Sequence, residues 1–440
     1  MGKYFGTDGI RGEANKRLNI EIAVKVGQYL GHIHKGKKIV VGQDTRLSST
    51  MFASAIAAGA TAMGADVYML GVCATPALAY TVINDAFAGG VMISASHNPF
   101  QDNGLKVFAG NGMKISAELE ADIEQFIDGE ITLDVATGNE IGVVVDFAEG
   151  LNTYLDYAEA LIDVRFDGLN IVLDVANGSA VSSAERAFKE LGATVTVMHN
   201  QPDGININTN CGSTHPESLI AKVKELGADM GFAFDGDADR CLAVNGNGEL
   251  VDGDEILYIL GLYLRSKGML RDNMVVSTVM ANLGFMKSCK KAGLNVVATD
   301  VGDKHVFAEM VEHDYKLGGE QSGHIILRDY ATTGDGVLTA LVITEVVAKS
   351  GKTLVELGSD FVRFPQLLEN LIIEDKEAIM NHPDVQAAIV RITQELGDNG
   401  RILVRPSGTE QLIRVMVEAE SDDLCKHYVS DMMNIIKNSQ

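Results

Sequence analysis

Three stretches of the chain share one pattern of apolar and polar positions. The first runs "KKIVVGQDTR", an Ala-rich helical stretch, then "MGADVYMLG" (residues 37–71). The second is "LNIVLDVANGSA" followed by "AERAFKELGATVTVMHN" (169–200), and the third is "DNMVVSTVMANLG" followed by "FMKSCKKAGLNVVATD" (272–300). Each combines a β-rich apolar run, a turn, an amphipathic helical segment stopped by glycine, and a second apolar run. A short run of β-branched residues suits a buried strand, and a glycine just past the periodic segment suits a helix C-cap. Strand, helix, strand in this order predicts an α/β architecture with largely parallel pairing.

Downstream of each copy, a short apolar run breaks into an unusual loop. The three loops are "SASHNPFQDNG" (94–104), "DGDADRC" (235–241) and "GGEQSGH" (318–324). If the copies share a fold, these loops occupy equivalent places at strand ends, where α/β proteins usually bind ligands. From about residue 366 the texture changes: "LLENLIIEDKEAIMNHPDVQAAIVRITQEL" and "GRILVRPSGTEQLIRVMVEAE" suggest strand, helix and hairpin, with a last helix near "DDLCKHYVSDMMNIIKNS". This divides the 440 residues into domains at 1–150, 151–250, 251–365 and 366–440, the last a small α+β domain.

Composition narrows the class of partner. A hydrophobic fraction of 46% with 22% charged residues describes a globular chain, and no apolar stretch reaches the roughly 18 residues of a membrane span. The opening "MGKYFGTDGIRG" has no basic region followed by an apolar block, so no signal peptide is expected. The cysteines (Cys73, Cys211, Cys241, Cys289, Cys425) are odd in number and show no C-x-x-C pair, which fits reduced cytoplasmic thiols better than disulfides or a zinc site. A net charge of −24 repels polyanions, which argues against a nucleic-acid partner. A small phosphorylated substrate would need its positive charges gathered locally, so Arg and Lys beside Gly and Ser become informative.

In "MGFAFDGDADR", Asp235, Asp237 and Asp239 alternate after an apolar run. Three carboxylates so close repel unless a hard cation sits among them, which points to a divalent-metal site. An EF-hand would need Gly and an acid where Arg240 and Gly246 stand, so that reading fails. A phosphatase of the haloacid-dehalogenase type, which also uses Asp-x-Asp after a strand, and a plain acidic surface turn both stay open. "LVRPSGTEQLIR" supplies Arg405, Ser407, Gly408, Thr409 and Arg414, a set suited to gripping phosphate, or a Pro-Ser-Gly hairpin with flanking arginines. Glu320 and Ser322 in "GGEQSGH" suit sugar hydroxyls, while His324 taken singly reads as structural. Arg11, Arg46 and Lys106 are cations near glycines that could approach a phosphate or lie in solvent.

The motifs "SASHNP", "DGDADR", "GEQSGH" and "RPSGTE", in this order and spacing, resemble the α-D-phosphohexomutase superfamily from residue 4 to about 419. "YFGTDGIRG", "VMISASHNPFQDNGLK" and "NINTNCGSTHPESL" are similar to its amino-sugar branch. The resemblance implies three related α/β domains (mixed sheets flanked by helices) plus a C-terminal α+β, TATA-box-binding-protein-like domain around a central cleft. It implies that Ser96 is a phosphoserine and that Asp235, Asp237 and Asp239, with a phosphoserine oxygen, ligate one Mg²⁺. Glu320 and Ser322 become the sugar loop, and Arg405, Ser407, Gly408, Thr409 and Arg414 the distal phosphate grip. Lys106 and Arg11 fall where the family has basic residues for proton transfer and phosphate stabilisation, His97 supports the serine loop, and Arg240 and His324 are supporting residues.

The implied reaction is exchange between glucosamine 6-phosphate and glucosamine 1-phosphate through glucosamine 1,6-bisphosphate, in the cytoplasm, with a homodimer by family analogy and a kinase or bisphosphate priming Ser96. Glucose or mannose phosphates, or non-catalytic binding of a cation or sugar phosphate, are the alternatives. Four positions depart from the family pattern. Lys304 and His305 stand where relatives more often have Arg and Tyr, and Gln411 where Pro is common. Ala238 replaces a frequent Gly, so no left-handed backbone is expected there.

Overall fold

The structure is a computed structural model and describes residues 2–407 and 411–439. The chain forms two compact units: one extends through Met280 and resumes at Leu294–Ser359, and the other comprises Ala281–Gly293 and the chain from Asp360.

The first unit carries three sheets, and they repeat one topology. In each, the first strand of the repeat pairs in parallel with the second: Lys38–Gln43 with Asp66–Val72, Asn170–Asp174 with Thr194–Met198, and Met274–Thr278 with Asn295–Thr299. On its other side the first strand pairs in parallel with the strand that precedes a loop of interest: Gly89–Ile93, Met230–Phe234 or Leu317–Gly319. That strand pairs in turn with an antiparallel one: Asp102–Ala109, Cys241–Asn245 or Ile325–Leu327. The same four-strand order three times makes the sequence repeat a structural one and puts the three loops at equivalent strand ends. The sheets differ at their edges, the first having seven strands, the second five and the third four.

Local sequence explains the elements. The loop-bearing strands Gly89–Ile93 and Met230–Phe234 are buried at every position, as parallel strands covered on both faces require. The connecting helices Ser49–Ala62, Ala184–Glu190 and Leu283–Lys291 each end two residues before a glycine with positive φ (Gly64, Gly192, Gly293), where a side chain would be strained. In the first sheet's layer, Ala-rich Ser49–Ala62 packs closely on Ile20–Ile33, and a Cβ at Gly27 would meet the Ile56 carbonyl oxygen at 2.3 Å.

The second unit holds a three-stranded antiparallel sheet with Leu412–Ala419 central, between Gln366–Ile372 and Gly400–Pro406. Helices Pro383–Leu396 and Asp422–Asn438 bury Val385, Ile392, Val429 and Met432 with the apolar side of that sheet. This matches the strand, helix, hairpin and final helix read from the sequence, with an additional short helix at Lys376–Met380. Among the described residues no helix is long and apolar enough to cross a membrane.

Candidate active site

The strand Gly89–Ile93 stops at Ile93, and the chain turns within three residues. Ser94 is fully buried; its hydroxyl donates to Asp44 Oδ2 at 2.7 Å and accepts the Ser96 N–H at 2.9 Å. Ser96 takes a left-handed backbone (φ +52°), which aims its side chain away from Ser94. Its Oγ donates to Asp235 Oδ2 at 2.6 Å and lies 3.2 Å from His97 Nδ1. Sequence alternation placed both serines on one side; the structure separates them into a turn-holding Ser94 and a presented Ser96.

Arg46 holds the turn from behind. It is 2% exposed, paired with Asp44 at 2.7 Å, and its guanidinium donates to the carbonyl oxygens of Ser96 (2.8 Å), Asn98 (2.9 Å) and Asp102 (3.0 Å). Asn208 Nδ2 adds a second donor to the Ser96 carbonyl at 2.9 Å. Arg46 therefore neither lies in solvent nor faces an external phosphate.

The strand Met230–Phe234 delivers the acidic loop. Asp235, Asp237 and Asp239 are all buried, and one oxygen from each lies within 4.8 Å of the others. Gly236 permits the approach of the two loops, because a Cβ there would meet the Ser96 carbonyl oxygen at 2.5 Å. Ala238 does adopt a left-handed backbone (φ +56°), contrary to the expectation from its side chain. The turn that folds the Ala238 N–H onto the Asp235 carbonyl at 3.1 Å demands it, at a cost of about 1–2 kcal/mol that the smallest side chain keeps low.

Burial and the neighbouring Asp239 and Asp237 push the Asp235 carboxyl up to about 8. Oδ1 of Asp237 and of Asp239 accepts no hydrogen bond from any described group. Oxygen donors, burial and mutual repulsion fit a hard divalent cation held by the three aspartates.

Lys106 reaches this cluster from Asp102–Ala109. Its Nζ is 2.7 Å from Asp237 Oδ2, 2.9 Å from Asp239 Oδ2 and 3.0 Å from Asp8 Oδ2, and it is 1% exposed. Burial opposes its charge, yet the carboxylates raise its pKa well above the usual lysine value. Asp8 also pairs with Arg11 and with Lys114, which reaches Asp303 at 2.5 Å. Burial works against the Asp8 charge, but Lys106, Lys114 and Arg11 hold its carboxyl well below the carboxylate range. Sequence reading missed Asp8, Lys114 and Asp303, because partners so distant in sequence leave no local signal; Asp8 and Asp303 stood in the stretches "FGTDGIRG" and "DVGDKHVF" without being singled out.

Arg240 donates its N–H to Asp235 Oδ1 at 3.1 Å. Burial, with Arg240 and Arg11 nearby, lowers the His97 pKa to about 4, so His97 is neutral beside Ser96. His324 is buried with Nδ1 3.6 Å from Asp239 Oδ1, and its Nε2 accepts the Gly334 N–H at 3.1 Å. That backbone donor leaves the imidazole proton on Nδ1, facing the acidic loop. Glu320 accepts the Gly302 N–H at 3.0 Å, and Ser322 is exposed. Lys304 is exposed and 3.9 Å from Glu120.

In the second unit, Arg405 and Arg414 are direct partners across the antiparallel pair. Burial and the Arg414 charge lower the Arg405 pKa, an electrostatic setting that an anion relieves. Buried Ser407 donates its N–H to the Leu412 carbonyl at 2.9 Å, and its own carbonyl accepts from Lys376 at 2.7 Å. Gly408 and Thr409 lie outside the described residues.

The phosphoglucomutase/phosphomannomutase family matches along the chain: its alpha/beta/alpha domain I over residues 2–133, domain II over 152–248, domain III over 252–364 and its C-terminal domain over 368–435. The chain belongs to this family. It is therefore a phosphohexomutase, an intramolecular phosphotransferase of the α-D-phosphohexomutase superfamily. The phosphoglucosamine mutase of Lachnoclostridium phytofermentans is 51% identical over 442 residues, covering 99% of this chain and 98% of that protein. A phosphoglucomutase/phosphomannomutase family protein of Burkholderia thailandensis has the same fold, with a TM-score of 0.81 at 24% identity, covering 98% of this chain and 97% of that one. The N-acetylphosphoglucosamine mutase of Aspergillus fumigatus, solved with GlcNAc-6P and magnesium, superposes with a TM-score of 0.71 at 17% identity, over 99% of this phosphohexomutase and 96% of that chain.

Proposed function

We infer that this phosphohexomutase is a phosphoglucosamine mutase, converting glucosamine 6-phosphate reversibly to glucosamine 1-phosphate with Ser96 as the phosphoryl carrier. The observation that carries the reading is Ser96 Oγ, fixed 2.6 Å from Asp235 at the mouth of a three-carboxylate cluster, in a chain half identical to a phosphoglucosamine mutase.

Phosphorylated Ser96 gives its phosphoryl group to the free sugar hydroxyl. The Oγ–P bond breaks as the sugar O–P bond forms, and the sugar hydroxyl's proton passes to the departing Ser96 oxygen, leaving glucosamine 1,6-bisphosphate and the Ser96 hydroxyl. The bisphosphate then presents its other phosphate to Ser96, and the reverse exchange restores the phosphoserine. Asp235, Asp237 and Asp239 are the residues that would hold Mg²⁺, which supplies positive charge to the transferring phosphoryl oxygens.

The chain's own groups do the rest. Arg46, Asn208 and Ser94 keep Ser96 in one place, so little reorganisation accompanies transfer. Lys106, held protonated by carboxylates, donates positive charge or a proton instead of accepting one. Arg11 adds charge beside it, neutral His97 supports the Ser96 hydroxyl, and Arg240 and His324 fix the acidic loop. Glu320 and Ser322 read sugar hydroxyls, while Arg405, Ser407, Gly408, Thr409 and Arg414 grip the non-transferring phosphate, Arg as a charge-assisted fork. A cytoplasmic homodimer, primed at Ser96 by a kinase or a bisphosphate, completes the proposal.

Steady-state kinetics with glucosamine, glucose and mannose phosphates test the substrate. The highest kcat/KM should belong to the glucosamine esters. Faster turnover of glucose 1-phosphate or mannose 1-phosphate would make the chain a phosphoglucomutase or phosphomannomutase instead.

A further inference from the structure

A second cluster of ligating side chains lies behind the serine loop, and the mutase mechanism uses none of it. Asp174 ends the strand Asn170–Asp174, His199 follows Thr194–Met198, and Cys211 follows the "NINTN" segment. One donor atom from each (carboxylate oxygen, imidazole nitrogen and thiol sulfur) lies within 4.8 Å of the other two. Asp174 and Cys211 are fully buried, while the His199 side chain is 28% exposed and opens the cluster to solvent.

His199 Nδ1 sits 2.9 Å from Asp174 Oδ1, an ion pair when the imidazole is protonated, and a cation would take the place of that proton. Asp174 is already oriented as a ligand would be, with Oδ1 accepting the Ala176 N–H at 3.0 Å and Oδ2 the Gly212 N–H at 2.9 Å.

We propose that Asp174, His199 and Cys211 bind one Zn²⁺ ion, with a solvent molecule in the fourth position. Mixed oxygen, nitrogen and sulfur donors suit zinc, whose bonds of about 2.0–2.3 Å place tetrahedral ligands about 3.3–3.8 Å apart. Side-chain rotations would have to widen the 2.9 Å approach of Asp174 and His199 to that separation and keep Cys211 within the same range. Binding expels the thiol proton to solvent and leaves Cys211 as the thiolate ligand. This site is separate from the aspartate triad, whose all-oxygen donors suit a harder ion. Its consequence is positional: the segment between His199 and Cys211 carries Asn208, which holds the Ser96 carbonyl, and the Asn177 carbonyl beside it accepts from Thr45 Oγ1 at 2.5 Å. Zinc would pin both strand ends and the segment that clamps the serine loop.

The test uses the full chain with the aspartate triad saturated by excess Mg²⁺. Co²⁺ should give a thiolate-to-metal charge-transfer band in the wild type that is lost in Cys211→Ser. Competition with a chromophoric chelator should count one tight Zn²⁺ per chain, weakened about 10-fold or more in His199→Ala. Should Cys211→Ser fail to fold, His199→Ala, at a partly exposed position, decides the matter. No thiolate band in the wild type, or zinc affinity unchanged in His199→Ala, would overturn the site while leaving the mutase reading untouched.

Discussion

Ser94 Oγ accepts the Ser96 backbone N–H at 2.9 Å, and this bond divides two serines of similar sequence setting into one that holds the turn and one presented to Asp235. Ser94→Ala removes that acceptor and the bond to Asp44, freeing the Ser96 turn. The variant should still be phosphorylated at Ser96 but should lose about 10²-fold in kcat, the scale of a misplacement near 1 Å. Unchanged kcat would show that the turn holds its shape without Ser94.

Arg46 and Asp44 form an ion pair with both side chains fully buried. Arg46→Met removes the cation paired with Asp44 and one donor from each of four loop carbonyls, which should lower unfolding free energy by about 3–5 kcal/mol. Urea denaturation measures this. A loss below about 1 kcal/mol would mean that water replaces the guanidinium, as at a surface pair.

Asp335 is buried, caps the helix Gly336–Ser350 and accepts from Tyr154 at 2.9 Å; burial raises its carboxyl to about 6. Because the native pKa exceeds the unfolded one, the native state binds more protons between the two. Stability from this group therefore rises as pH falls through about 6 and is lost above it, by about 3 kcal/mol in the limit. The wild type should gain stability over Asp335→Asn between about pH 7 and about pH 5. Parallel pH profiles for the two would contradict the burial argument.

Arg405 and Arg414 face each other on adjacent strands, and burial with the Arg414 charge disfavours the Arg405 cation until an anion arrives. Arg405→Ala should raise KM for the sugar phosphate about 10-fold or more, as charged hydrogen bonds worth about 1.5–3 kcal/mol imply. A fall in kcat at constant KM would place Arg405 in the chemical step instead of the grip.

The threefold topology was legible because buried parallel strands are continuous apolar runs and each helix ends near a glycine. The acidic triplet was legible because alternate carboxylates have few bland explanations. The choice between Ser94 and Ser96 was not, because alternation holds only while the strand lasts, and the strand ends at Ile93. Ala238 misled because the tight turn overrides the usual bias of a residue bearing a Cβ. Arg46, Asp8, Lys114 and Asp303 were invisible as a group: their roles depend on pairings across tens or hundreds of residues, which local sequence does not encode. Lys106, which its local sequence left open between a phosphate contact and solvent, proves to be the buried centre of an ion cluster, a placement hidden for the same reason.

The central claim is that Ser96 carries the phosphoryl group. Intact-mass and peptide mass spectrometry of the purified chain, after incubation with glucose or glucosamine 1,6-bisphosphate and again after phosphatase, tests it most directly. The account predicts one phosphate on the peptide containing Ser96, removed by phosphatase, with neither label nor turnover in Ser96→Ala. A phosphate on another residue, or full turnover in Ser96→Ala, would contradict it.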